Sequence, residues 1–213
     1  MQQSNHAKRC LRFGDKQRKE NSSTQYSGVL SPWVAGMRAK KIAGHIPPKS
    51  KVLDVGCGAG LLIQYLPAAC SYVGVDQDVA VIEANRRIFP REAFQVFDIL
   101  TTTYPFQEQS FDTIVMAAVI EHIHDPLHVM KELFRILKPG GRLIMTTPSP
   151  VGGHVHTIMA FLGLLSHQAA EEHKGFHNFA SIKNLIHPLG FILECYIPFQ
   201  FRMNQLFIVK KAP

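Results

Sequence analysis

Val52-Leu53-Asp54-Val55-Gly56-Cys57-Gly58-Ala59-Gly60-Leu61-Leu62 decides how this chain is read. An apolar, β-branched run leads straight into three alternating glycines, and helix-forming leucines follow. The order predicts strand, tight loop, helix. Glycines let the backbone turn sharply and let a ligand approach closely, while free amides at the helix start attract the ligand's polar groups. A dinucleotide fingerprint, GxGxxG, needs its third glycine at position 61, where the chain has Leu61. The spacing is GxGxG instead. Asp54, just before the first glycine, repels a pyrophosphate but suits an ammonium group.

Moving outward, Val73-Gly74-Val75 ends at Asp76, twenty residues beyond Gly56. An acid at that strand end suits ribose hydroxyls. NAD sites use the same device, so Asp76 points to an adenosine without choosing the cofactor, and a helix N-cap is its other reading. Phe97-Asp98-Ile99 closes the next run: Asp98 can accept from an adenine amino group while Ile99 packs on the ring, or Asp98 is an ordinary loop acid.

From Lys51 onward, short apolar runs alternate with helical-period segments, the pattern of a parallel sheet wrapped by helices in an α/β fold. Strands are predicted at 51–56, 72–76, 93–97, 111–117, 142–147, 191–196 and 205–210. Helices are predicted at 61–66, 79–89 and 126–137, the last with a core-facing stripe of Leu127, Met130, Leu133, Phe134 and Leu137 and an end at the Pro139-Gly140-Gly141 turn. The rhythm breaks over 146–186, and residues 151–186 are predicted as a cap inserted over the site.

The chain has 213 residues, 46% of them hydrophobic, enough for one α/β domain over 41–213 preceded by a flexible basic tail and cap helix over 1–40. The net charge of +7 suggests an acidic partner, but apart from Lys8, Arg9, Arg12, Lys16, Arg18 and Lys19 the cations are scattered, which argues against nucleic acid. The first thirty residues hold no apolar run that could serve as a signal-peptide core, and no stretch reaches the length of a membrane span, so a cytoplasmic protein is expected. Cys10, Cys57, Cys70 and Cys195 form no CxxC pair, and neither a zinc ribbon nor a disulfide framework is indicated.

The set VLDVGCGAG (52–60), VGVD (73–76), FD (97–98), FDTIVMAAVIEHIHDP (111–126) and LKPGGRLIMTTP (137–148) resembles class I S-adenosylmethionine (SAM)-dependent methyltransferases, in the UbiE/UbiG-like small-molecule branch. The resemblance covers about residues 51–147. It implies a Rossmann-like, doubly wound, seven-stranded sheet with its last strand antiparallel, and SAM across the C-terminal strand edge, leaving S-adenosylhomocysteine as product. By matching positions, Asp54, Gly56, Cys57, Gly58 and Gly60 would line the methionine moiety. Asp76 would take the ribose, Asp98 and Ile99 the adenine, and Gln77 its other face; Ala117 would leave room for the sulfonium. Base-methylating relatives carry N/D-PP-Y/F where this chain has Ala117-Ala118-Val119-Ile120, a second argument against nucleic acid.

Methyl transfer needs no covalent enzyme intermediate, and the chain has no GxSxG elbow. A hydroxyl acceptor must lose a proton. His122 is the candidate base with Glu121 as its orienter, although a packing role beside the cofactor is also open. His154, His156, His167, His173 and His177 fall in the predicted cap, where His173, Phe176 and His177 are candidates for the acceptor pocket. No three firm metal ligands can be named, and no metal is expected. The stretch 158–165 suits a quinone-like or lipid-linked acceptor, or equally a helix that completes the core. Trp33 is expected as a packing anchor, and Arg38 as a contact to the SAM carboxylate. A SAM-binding module without activity and an NAD-dependent oxidoreductase are the alternatives.

Overall fold

A computed structural model describes residues 31–101, 103–150 and 177–212. The strands β1 (Lys51–Val55), β2 (Ser71–Asp76), β3 (Ala93–Val96), β4 (Phe111–Ala117), β5 (Leu137–Pro148), β6 (Phe191–Phe199) and β7 (Asn204–Lys211) form one sheet in the order β3-β2-β1-β4-β5-β7-β6. Neighbours from β3 through to β5 are parallel, and β7 runs antiparallel to both β5 and β6. The C-terminal ends of β1 to β6 therefore share one edge. Strand order reverses between β1 and β4, where a crevice opens in such sheets.

The central strands are continuous apolar runs because both faces are covered. On one face lie α1 (Ser31–Ala43), α2 (Val79–Ile88) and a 3₁₀ turn (Leu61–Tyr65), with Ile42, Leu62 and Ile82 packed on Val52, Tyr72 and Ile144. On the other, α3 (Pro126–Ile136) and α4 (Phe179–Ile186) pack Met130, Leu133, Ile182 and Ile186 against Leu53, Ile114 and Met145. Side-chain caps start three of the helices: Asp78 accepts from Ala80 and Val81 N–H, Asp125 from Leu127 N–H, and Asn178 from Ser181 N–H.

Four expectations change. The leucine segment after the glycine loop is a 3₁₀ turn, because Gly60 enters it left-handed and Leu66, ahead of Pro67, is pushed out of helical geometry. In α3 the buried apolar residues are Val129, Met130, Leu133 and Ile136, and Leu127, at the capped first turn, is 40% exposed. Pro139-Gly140-Gly141 lies within β5: Leu137 pairs with Phe111 and Arg142 with Thr113, so the residues between them bulge, with Gly140 at φ 73°. Residues 179–186 form α4, which is core rather than cap. The other residues expected in the cap, His154, His156, His167, His173, Phe176 and the stretch 158–165, lie outside the described residues, as does the basic tail.

Leu133→Ala should lower stability in urea unfolding by about 2–5 kcal/mol and Leu127→Ala by about 0.5 kcal/mol or less. Equal losses would restore the stripe expected from the sequence.

Candidate cofactor site at the strand-end edge

The glycine loop follows β1 with Gly56, Gly58 and Gly60 at φ 71°, 47° and 68°. Gly56 is demanded twice: its φ is left-handed, and a Cβ there would stand 2.5 Å from Val119 Cγ2 in the loop after β4. The loop amides point inward. Gly56 and Cys57 N–H both donate to Val75 O (2.9 and 3.0 Å), and Gly60 N–H to Cys57 O (3.0 Å). Gly58 N–H donates to Asp76 Oδ2 (2.9 Å). A pyrophosphate cradle needs such amides free. These four are taken.

Asp76, at the end of β2, is half-buried, and its second oxygen accepts from Asp78 N–H (3.1 Å). Two backbone bonds fix the carboxylate plane and leave further lone pairs for hydroxyl donors. The cap of α2 is Asp78, which removes the N-cap reading of Asp76. Gln77 beside it is exposed.

Asp54 is 4% exposed beneath the loop, where Tyr72 Oη donates to its Oδ2 (2.8 Å). Burial pushes the Asp54 carboxyl up to about 7, with the Tyr72 bond opposing and the charge of Asp76 adding to it. Burial, with Asp54 and Asp76 nearby, also pushes the Cys57 thiol up, which keeps it protonated and un-nucleophilic. Asn85, fully buried on α2, donates from Nδ2 to Gly58 O (2.6 Å). Sequence reasoning missed Tyr72 and Asn85. The signal for Asn85 was an amide on the apolar face of a helix.

Asp98 is exposed after β3 and accepts from Leu100 N–H (2.9 Å). The segment carrying it and Ile99 is anchored from below: Tyr104 Oη donates to Ile99 O (2.8 Å), and Tyr104 N–H to Glu132 of α3 (2.8 Å). Arg135 of the same helix reaches the carbonyls of Tyr104 and Phe106.

Past β4, Ala117 and Ala118 keep the edge low, and Ala118 holds a left-handed φ of 58°. Glu121 is 2% exposed in the 3₁₀ turn Ile120–His122, and its Oε2 lacks a hydrogen-bond partner. Burial pushes its carboxyl up, while the charges of Arg38 and His122 pull the other way. The charge of Arg38 on α1 thus acts on Glu121. His122 is exposed. His177 is half-buried with its ring against the Ile120 carbonyl, and burial lowers its pKa. Trp33, expected as a packing anchor, is 65% exposed. Among the described residues no three His, Cys, Asp or Glu side chains converge as metal ligands, and no helix is long and apolar enough to cross a membrane.

Residues 53–145 match the family described as "Methyltransferase domain". The ubiquinone biosynthesis O-methyltransferase of Coxiella burnetii is 34% identical over 131 residues, 57% of this chain and 54% of that protein. The demethylmenaquinone methyltransferase of Renibacterium salmoninarum is 29% identical over 113 residues, 52% of this chain and 47% of that one. The chain thus spans about half the length of these relatives. Among solved structures, the CurJ carbon methyltransferase superposes with TM-score 0.68 at 17% identity, covering 90% of this chain and 58% of that chain, a likeness of fold. The glycine loop with its inward amides, the acids at the end of β2 and just past β3, the strand order and the matched segment agree with a class I SAM-dependent methyltransferase domain of the UbiE/UbiG type over residues 53–145, and support S-adenosylmethionine as its cofactor.

Proposed function

We propose that this chain transfers a methyl group from SAM to a small-molecule acceptor, at oxygen. The observation that carries the reading is the carboxylate pair around the glycine loop: buried Asp54 beneath it and Asp76 pinned beside it, where a pyrophosphate site would present free amides. SAM supplies an activated methyl on a sulfonium, with an ammonium and a ribose for these acids to hold. Asp54 lies on the ammonium side, with Gly56, Cys57, Gly58 and Gly60 allowing close approach. Asp76 accepts from the ribose hydroxyls, and Gln77, Asp98 and Ile99 surround the adenine. Ala117 leaves space at the end of β4 for the reacting centre.

The rest of the chain's task is alignment and exclusion of water, and well-oriented reactions reach effective molarities of about 10⁵ M or more. His122 takes the acceptor's proton. Glu121, buried and acted on by the charge of Arg38, fixes the turn that presents His122. The O-methyltransferase name of the Coxiella relative supports oxygen, and the two quinone-pathway names support a quinone-like acceptor.

Calorimetric titration should show heat with SAM and S-adenosylhomocysteine and none with NADH; the reverse pattern would end the proposal. Asp76→Ala should weaken SAM binding by about 10- to 150-fold, the loss of a charge-assisted hydrogen bond of about 1.5 to 3 kcal/mol. Asp76→Asn, which keeps an oxygen for Gly58 N–H, separates loss of the ligand contact from loss of the loop.

The pH dependence has a definite sign. With its folded pKa raised to about 7 from 3.8, Asp54 binds a proton more tightly in the folded chain. Its contribution to stability is therefore present at low pH and lost as pH rises through 7. A bound ammonium reverses this preference by favouring the carboxylate. SAM affinity should rise about fivefold from pH 6 to pH 7, below the range where an α-amino group loses its charge, and calorimetry at pH 6 should show proton release. A flat profile would remove Asp54 from the ammonium site.

A further inference from the structure

The sheet edge opposite the glycine loop carries a groove of its own. Two adjoining cavities of about 460 and 380 Å³ meet at Pro47 and Arg142. Segments far apart in sequence wall them: the turn after α1 (residues 44–50), Asp112 at the start of β4, residues 138–142 of β5, Glu194 of β6 and Lys210 of β7. The turn is fixed in shape. Lys49 holds a left-handed φ of 63° with its N–H donating to Ala68 O (3.2 Å), and Ser50 Oγ donates to Pro47 O (2.7 Å). Across the groove, residues 138–141 stand outside the register of both β4 and β7. Gly141 has no room for a side chain, since a Cβ would lie 2.9 Å from Leu137 Cδ1 and from Lys138 O. A Cβ on Gly140 would meet Lys210 Cε at 3.9 Å, so the Lys210 stem lies beside this bulge.

The groove concentrates positive charge. Residues 44–213 carry fourteen Lys and Arg and fourteen Asp and Glu, yet Lys49, Lys138, Arg142 and Lys210 line the two cavities against Asp112 and Glu194 alone. Both acids are already engaged. Asp112 accepts from Lys138 Nζ (2.6 Å) and from Lys51 N–H (2.9 Å), and Glu194 takes two bonds from Arg142 (2.8 Å each). That leaves Lys49 and Lys210, neither of which has a carboxylate partner among the described residues, and Lys210 is half-buried. His45 on the same wall registers the excess: burial, with the charges of Lys41 and Arg142, lowers its pKa against the opposing pull of Glu194.

We propose that this groove binds a diphosphate-bearing small molecule, whose two phosphates neutralise Lys49 and Lys210. Two unmatched ammonium groups call for a ligand with at least two negative charges. An ammonium is a compact point charge that suits a phosphate oxygen, whereas a planar carboxylate prefers a guanidinium fork, and Glu194 already fills the one in this groove. A cavity of about 460 Å³ lies in the range of small-molecule sites. Because the groove lies at the N-terminal ends of β1 and β4, a ligand there neither requires nor displaces SAM, and this inference and the methyltransferase reading can fail separately.

Calorimetric titration of the full-length protein with inorganic diphosphate, with and without saturating S-adenosylhomocysteine, tests the site. Diphosphate should bind equally well in both conditions, more weakly in high salt, and more tightly than malonate. Lys49→Gln and Lys210→Gln should each weaken it by about tenfold, with circular dichroism confirming that the variants fold, while Lys210→Arg should keep most of the affinity. Absence of heat with diphosphate at millimolar concentration would overturn the proposal, as would wild-type affinity in both Gln variants. Displacement by S-adenosylhomocysteine would put the anion in the cofactor site instead, and malonate binding as tightly would remove the preference for phosphate; either result contradicts the assignment. So would a single-stranded oligonucleotide that binds through Lys49 and Lys210 where diphosphate does not.

Discussion

The hydrogen bond from Gly58 N–H to the Asp76 carboxylate joins the loop after β1 to the end of β2, and the geometry of the site hangs on it. It requires the left-handed glycines that let Gly58 turn inward, and it requires β1 and β2 in parallel register, Val55 beside Val75. Asn85 secures the same residue from the other side through its carbonyl. With loop and acid locked together, the carboxylate has one orientation in which to meet a ligand. A preset acceptor of this kind holds a diol without paying to reorganise when the ligand arrives.

Much of this was legible in the sequence. Strands buried on both faces announce themselves as β-branched runs, and β4 was bounded to the residue. The acids Asp76 and Asp98 could be placed because each follows such a run, and a strand's end fixes the edge of the sheet, while Asp54 could be placed by its position just ahead of the glycines. What escaped depends on contacts distant in sequence. Leu127 has the right spacing for the core stripe of α3, but it lies in the capped first turn, where it stays exposed. The bulge in β5 appears only when Leu137 pairs with Phe111 across the sheet. Tyr72 looked like any strand aromatic until the parallel register of β1 and β2 placed its hydroxyl on Asp54. Nothing local reveals that Val75 O and Asp76 accept the loop amides.

α1 ties the rest together. It carries Arg38 to buried Glu121, its backbone holds the β6–β7 tip through Gln200, and it continues the most basic part of the chain. One helix thus connects the candidate base pair, the hairpin tip and the charged segment. Burial raises the Glu121 carboxyl more than the charges of Arg38 and His122 lower it, and the Arg38 contribution links the position of α1 to the ionisation of the active edge.

The central claim is that a SAM-type ligand lies over the glycine loop with its ribose on Asp76. A crystal structure with S-adenosylhomocysteine tests it most directly. The account predicts both ribose hydroxyls within hydrogen-bond distance of Asp76, the adenine between Gln77 and Ile99 with its amino group toward Asp98, and Gly58 N–H still bonded to Asp76. A ligand bound away from β2, or an Asp76 carboxylate turned from the loop to make the contact, would contradict it.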